Sequence, residues 1–270
     1  MAEKMTQEQR LDTLVEVFKA DSVQYKDLQT PEDNEGKRRI LRSLMNIRMP
    51  KKLDDSVLAV QDEYLRERIR ENGIVTLSKI PVIRNGMSIW QGDITRLAVD
   101  AIVNAANSQM LGCFVPMHTC IDNCIHTYAG VQLRRDCAAL MAQQGHEEPT
   151  GQAKITKAYN LPCGYVLHTV GPIISGRVTR EDERLLASCY RSCLALAERS
   201  GVQSIAFCCI STGVFHFPNE RAAEIAVETV RRYKSETGSK IKVVFNVFKD
   251  TDKEIYERLL GADRAPAARA

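Results

Sequence analysis

From Gly73 onward, strand-sized apolar runs alternate with stretches of helical periodicity, and this alternation constrains the fold more than any other feature of the chain. The runs are IVTL, SIWQGD, AIVNAA, KITKAY, YVLHTV, SIAFCCI and KIKVVFNVF, with helical stretches near 121–142, 181–199 and 219–234. Strands that alternate with helices pack as an α/β sheet covered on both faces. Before Gly73 the rhythm is purely helical. TQEQRLDTLVEVFKAD opens on a capping box from Thr6 to Gln9 and gathers Leu11, Leu14, Val15 and Phe18 on one face. TPEDNEGKRRILRSLMNIR offers Thr30 as N-cap and Pro31 at the first helical position. SVLAVQDEYLRERIRENG ends on Asn72-Gly73, a stop signal. Each apolar stripe is narrow, so the three helices are expected to pack onto the domain that follows rather than on one another. The chain is thus read as a helical extension over 1–73, an α/β domain over 74–262, and a disordered tail over 263–270 that lacks periodicity.

Several function classes fall away on composition. A formal charge of +3 is too small to argue for nucleic acid, and no stretch interleaves basic and aromatic residues as an RNA-binding surface does. The longest apolar runs are too short to span a bilayer, and MAEKMTQEQR lacks the apolar segment of a secretory signal. The nine cysteines are odd in number and fall mostly inside apolar segments. That usage predicts a reduced, cytoplasmic protein without a disulfide framework.

In open α/β sheets, ligands bind where strands end at their carboxyl side. Four such junctions carry chemistry. WQGDIT ends in Asp93; VDAIVNAAN runs off a strand into Asn104 and Asn107; CCISTGVFHFPNE passes through Ser211-Thr212-Gly213 toward a helix. The small residues there let successive amides converge on an anion, although such a triplet also serves as ordinary turn chemistry. The fourth junction, MLGCFVPMHTCIDNCIH, packs Cys113, His118 and Cys120 into a C-x4-H-x-C cluster. Two thiolates and an imidazole suit zinc, and three protein ligands with one open position is the catalytic pattern. Clustered cysteines are also common as small buried hydrophobes, so spacing alone leaves both readings open.

Taken in order, QGDIT, VDAIVNAAN, YNLPCGYVLHTVGP and ISTGVFHFP closely resemble the motifs of the macrodomain family of ADP-ribose-binding modules. The resemblance implies a three-layer α/β/α fold with a central mixed sheet, preceded here by the helical extension, and ADP-ribose lying across the strand ends. It implies that Asp93, with Ile94 beside it, accepts a hydrogen bond from the adenine amino group. Asn107 then holds the distal ribose, Ser211, Thr212, Gly213 and Val214 form the diphosphate loop, and Phe215 flanks the distal ribose. Turn, cap and core roles are the competing readings of Asp93, Asn107 and Phe215.

The loop after NAAN departs from the common glycine-rich pattern. CIDNCIH stands in place of the usual GVDGAIH, and GCFVPMHT replaces the glycine run. The cluster therefore falls where the distal ribose belongs, and the chain is similar to the zinc-containing class of microbial macrodomains. That likeness implies one Zn2+ on Cys113, His118 and Cys120. It implies a hydrolase that removes mono-ADP-ribose from protein side chains, Asp/Glu-linked, by cleavage at the distal anomeric carbon. Asn107 and Asp122 are its expected catalytic residues, although an acidic residue at a helix start is stabilising in any case. Cys124 and His126 are placed on the following helix, outside the metal shell, and His168 is read as a core histidine. The alternatives are a reader that binds ADP-ribose without cutting, and an O-acetyl-ADP-ribose deacetylase. The resemblance further implies a lipoyl-carrier protein as target and a sirtuin-type ADP-ribosyltransferase as partner enzyme, with neither membrane nor nucleic acid involved.

Overall fold

A computed structural model describes residues 5–261; the tail expected at 263–270 lies outside them. Three helices lead: α1 (Gln7–Ala20), α2 (Asn34–Ile47) and α3 (Asp55–Asn72). The capping box of α1 forms as its sequence dictates, with Thr6 Oγ1 accepting from the Gln9 amide at 3.1 Å and the Thr6 amide donating to Gln9 Oε1 at 2.7 Å. Helix α2 starts later than expected. Asp33, not Thr30, is its N-cap and accepts from the Gly36 amide at 2.8 Å, because a carboxylate at a helix start also answers the helix dipole. Thr30 instead takes the Lys19 ammonium at 3.0 Å.

The three stripes close on one another, which overturns the expectation that they cover the sheet. Leu11, Leu14, Val15, Phe18, Leu41, Leu44, Met45, Tyr64 and Leu65 form a core of their own. Narrow stripes suffice because α1 receives both of the others, while α2 and α3 also rest on α4 (Ile121–Ala129). Ile69, one turn further along α3, joins the main core instead.

The main sheet holds β2 (Val82–Arg84), β3 (Met87–Gln91), β5 (Ala101–Ala106), β6 (Ala153–Lys157), β7 (Tyr165–Val170), β8 (Ser204–Phe207) and β9 (Lys242–Val247), in the order β2-β3-β9-β8-β5-β7-β6. A small parallel pair, β1 (Val75–Thr76) with β4 (Leu97–Ala98), stands apart. Strands β3, β9, β8, β5 and β7 run parallel to their neighbours, while β2 and β6 are antiparallel edges, so the sheet is mixed. The β2–β3 hairpin turns on Asn85-Gly86, both with positive φ (47° and 73°), the backbone that such a two-residue turn requires.

Flanking the sheet are α4 (Ile121–Ala129), α5 (Val131–Gln144), α6 (Arg180–Arg199), α7 (Asn219–Thr237) and α8 (Asp250–Gly261). The stretch predicted as one helix over 121–142 is two, broken at Gly130 (φ 99°), where a Cβ would come within 2.7 Å of Gln132 Oε1. The central strands are buried along nearly their whole length, as parallel strands covered on both faces must be. No helix among the described residues is long and apolar enough to cross a membrane.

Because the extension has its own core, truncating a side chain there should be felt as strongly as in the sheet. Leu14, fully buried, changed to Ala should lower stability by about 2–5 kcal/mol in urea unfolding. A loss below about 1 kcal/mol would mean that the three helices do not pack as described.

Candidate functional site

The five mutually parallel strands bring their carboxyl ends to one edge. Asp93 stands two residues beyond β3, where it caps a single helical turn, Ile94–Arg96; its Oδ1 accepts from the Thr95 amide at 3.0 Å and from the Thr95 hydroxyl at 2.7 Å. The turn role is therefore real, and Oδ2 makes no hydrogen bond among the described residues. Asn246 pins this strand end by donating to the Gly92 carbonyl at 2.9 Å. Beside it, just past β9, Phe248 is 77% exposed. Sequence reading missed Phe248, because in KIKVVFNVF it looks like the last residue of a core strand.

Past β8, the chain turns through Ser211 (φ 65°) and His216 (φ 58°), both left-handed. The left-handed backbone at His216 is one that glycine adopts most readily. Phe217 donates to the Ser211 carbonyl at 3.0 Å, and Phe215 accepts from the Ile174 amide at 2.9 Å. Between these ties, the amides of Gly213, Val214 and Phe215 donate to no group among the described residues. Ser211 Oγ is buried without a partner. Gly213 itself needs no special φ, and a Cβ on it would meet nothing within 4 Å. Its smallness leaves room at the surface instead. The position that does require glycine is Gly171, at the end of β7, where a Cβ would lie 2.0 Å from Ser211 Oγ.

Past β5, Asn107 folds its amide into its own loop: Nδ2 donates to the Gly112 carbonyl at 3.2 Å, and Oδ1 accepts from the Gln109 amide at 3.1 Å. Gly112 (φ 80°) packs so closely on the His126 ring that a Cβ would come within 2.8 Å. The loop then brings Cys113, His118 and Cys120 together, with their ligand atoms all within 4.8 Å of one another and Cys113 Sγ 3.5 Å from His118 Nδ1. All three are partly exposed. Cys120 is also the N-cap of α4, its sulfur accepting from the Asn123 amide at 3.4 Å. Burial pushes the Cys120 thiol up to about 12; the Asn123 amide opposes that shift and nearby Cys113 adds to it. Two thiols beside an imidazole, gathered on one partly exposed loop, are the donor set of a site that a divalent cation would complete, with release of protons. The three residues fit a metal.

Behind the loop lies a buried polar wall. Asp122 is buried, and Asn104 Nδ2 donates to its Oδ1 at 2.8 Å. Burial raises the Asp122 carboxyl to about 6, opposed by Asn104 and Arg134. Asn104 also meets His168 Nδ1 at 3.2 Å, while His168 Nε2 meets Thr156 Oγ1 at 2.9 Å. His168 is thus a satisfied core histidine, as expected. His126, Cys137 and His168 form a second close group of metal-type donors. It is the poorer fit: all three are buried, and both His168 nitrogens are engaged.

The fold and this edge define a class of protein. Residues 103–226 match the Macro domain family model, and the chain belongs to the macro domain family. It is 56% identical over 260 residues to the protein-ADP-ribose hydrolase of Treponema medium, covering 95% of this chain and 100% of that one. It is 48% identical over 255 residues to that of Staphylococcus aureus strain MRSA252, covering 94% and 96%. Among solved structures, the Trypanosoma brucei macrodomain in complex with ADP-ribose superposes with a TM-score of 0.64 at 31% identity, covering 82% of this chain and 95% of that one. A variant of the Oceanobacillus iheyensis macrodomain with ADPR gives 0.60 at 36% identity, covering 68% and 96%.

The wall has a pH signature. Burial lowers His168 from 6.5 to about 3, so the native state refuses a proton that the unfolded chain accepts below 6.5. Stability from this group is complete above that pH and drains away as pH falls toward 3, by at most about 1.4 kcal/mol per pH unit. Urea unfolding at pH 7 and pH 4.5 should show a smaller acid loss in His168→Gln than in the wild type. Equal losses would contradict a neutral buried His168.

Proposed function

We propose that this chain removes single ADP-ribose units from modified proteins, with a metal-dependent site at the Asn107 end of the sheet edge. The observation that carries the reading is the order of the chemistry along that edge. From β3 through β9 and β8 to β5, it presents a carboxylate with an exposed aromatic, then three unengaged amides, then a side-chain amide beside two thiols and an imidazole. Three inter-strand steps span roughly 14 Å, and ADP-ribose offers base, diphosphate and distal ribose in that order.

On this reading, Asp93 accepts from the adenine amino group, Ile94 floors the site, and Phe248 offers a ring face to the base. The amides of Gly213, Val214 and Phe215, with Ser211 and Thr212, hold the diphosphate. The Phe215 ring flanks the distal ribose. Asn107, which carries both a donor and an acceptor, gives up its two local bonds to orient that ribose. Asp122 keeps its carboxylate aimed by Asn104 beneath the reacting end. Binding energy gathered along the diphosphate and base is spent on holding the anomeric carbon in place.

Cys113, His118 and Cys120 would hold the zinc, which would supply Lewis acidity to a ribose hydroxyl, the scissile oxygen or a water. The bond cut is at the distal anomeric carbon of an Asp- or Glu-linked unit. A departing carboxylate, with a pKa of about 4, leaves without needing a strong acid. The microbial class that the chain resembles suggests a lipoyl-carrier protein as target, a sirtuin-type transferase as counterpart, and a cytoplasmic setting.

Release of ADP-ribose from an Asp/Glu-modified protein tests the reading. It should fall to background when the enzyme is stripped with a chelator, return with zinc, and be lost in Cys113→Ala, Asn107→Ala and Asp122→Ala. Binding without release in every form would make the protein a reader instead, and acetate from O-acetyl-ADP-ribose as the sole product would make it a deacetylase. The diphosphate loop is tested separately. Gly213→Glu has space for its side chain, so the fold should hold while ADP-ribose affinity drops about tenfold or more in calorimetric titration, some 1.4 kcal/mol. Unchanged affinity would remove that loop from the site.

A further inference from the structure

We infer that the helical extension is a working part of the metal site, and that Arg42 and Asn46 on α2 are positioning residues for the loop that carries Cys113, His118 and Cys120. This rests on the reading of those three residues as zinc ligands and goes beyond it, since neither positioning residue lies within the matched residues 103–226.

Arg42 Nη2 donates to the His118 carbonyl at 2.8 Å and to Asn123 Oδ1 at 3.0 Å, and lies 3.7 Å from Cys124 Sγ. One turn along α2, Asn46 is 1% exposed. Its Oδ1 accepts from the Met117 amide at 3.0 Å, and its Nδ2 donates to Thr127 Oγ1 at 2.9 Å. Met117 has φ 59°, a left-handed backbone that a non-glycine residue keeps only when its surroundings hold it there. It is the residue before His118, so the bond from Asn46 fixes the direction in which the imidazole leaves the loop.

Asn123 passes the restraint to the two cysteines. Its Nδ2 donates to the Cys113 carbonyl at 3.3 Å and to the Val115 carbonyl at 2.9 Å, and its amide donates to Cys120 Sγ. Each ligand residue is thereby one or two hydrogen bonds from α2. The helix itself is anchored from the other side: Arg134 donates to the Met45 carbonyl at 3.2 Å and to the Arg48 carbonyl at 2.5 Å, and to the Leu111 carbonyl at 2.7 Å. A loop freed from α2 would have to be ordered by the metal itself, and that ordering would be taken out of the affinity.

The test is zinc affinity of the full chain, measured by competition with a chromophoric chelator and compared with circular dichroism of the metal-free proteins. Arg42→Ala and Asn46→Ala should bind zinc about 10- to 100-fold more weakly while keeping wild-type helix content. Arg42→Lys, which can still donate to the His118 carbonyl, should recover most of the loss. Lys37→Ala, which breaks an ion pair with Asp12 elsewhere in the extension, should match the wild type. Should Asn46→Ala fail to fold, the two Arg42 variants decide alone. Affinities within twofold of wild type, alongside a Cys113→Ala protein that binds no zinc, would overturn this inference and leave the zinc reading standing. A wild-type chain that binds no zinc would overturn both.

Discussion

Asn123, with no exposure to solvent, turns its side-chain amide and its backbone amide to one task. Its side-chain amide holds the carbonyls of Cys113 and Val115, its oxygen receives Arg42, and its backbone amide meets the Cys120 sulfur. A buried amide left unpaired costs more than its bonds contribute, so these contacts stand or fall together. The loop has no regular structure to define it, so this one residue, at the start of α4, makes it a site. The extension and the loop are coupled through it.

The sheet supplies the other half of the arrangement. Parallel strands aim successive loops at one edge, and the order β3-β9-β8-β5 converts a sequence of motifs into a spatial series. Exposure then separates two donor groups that composition makes look alike. On the solvent side, Cys113, His118 and Cys120 remain partly exposed. On the core side, His126, Cys137 and His168 are all buried, and both His168 nitrogens are engaged. Only the first group is open to a ligand arriving from solvent.

Much of this was legible before any coordinates. Strands β5 and β7 coincide with AIVNAA and YVLHTV because covered parallel strands are written as unbroken apolar runs. The C-x4-H-x-C spacing anticipated the donor group, since a loop that short leaves its ligands few ways to stay apart. Long-range facts were not legible. Nothing local in Arg42 or Asn46 points to a loop some seventy residues away. The self-packing of α1 to α3 depends on three stripes meeting in space, which the width of any one stripe does not reveal. The Asn85-Gly86 hairpin was written in the chain and overlooked; Phe248 was hidden, because an exposed ring and a buried one leave the same trace in a strand.

The central claim is that Cys113, His118 and Cys120, rather than the buried group behind them, hold the metal and leave one position for substrate. X-ray absorption at the zinc edge of the zinc-loaded protein, with and without ADP-ribose, tests it most directly. The account predicts a first shell of two sulfurs, one imidazole nitrogen and one oxygen, with only the oxygen contribution changing when ADP-ribose is added. One sulfur with two imidazoles would instead place the metal on His126, Cys137 and His168 and contradict the account, as would a closed shell of four protein ligands that ADP-ribose leaves untouched.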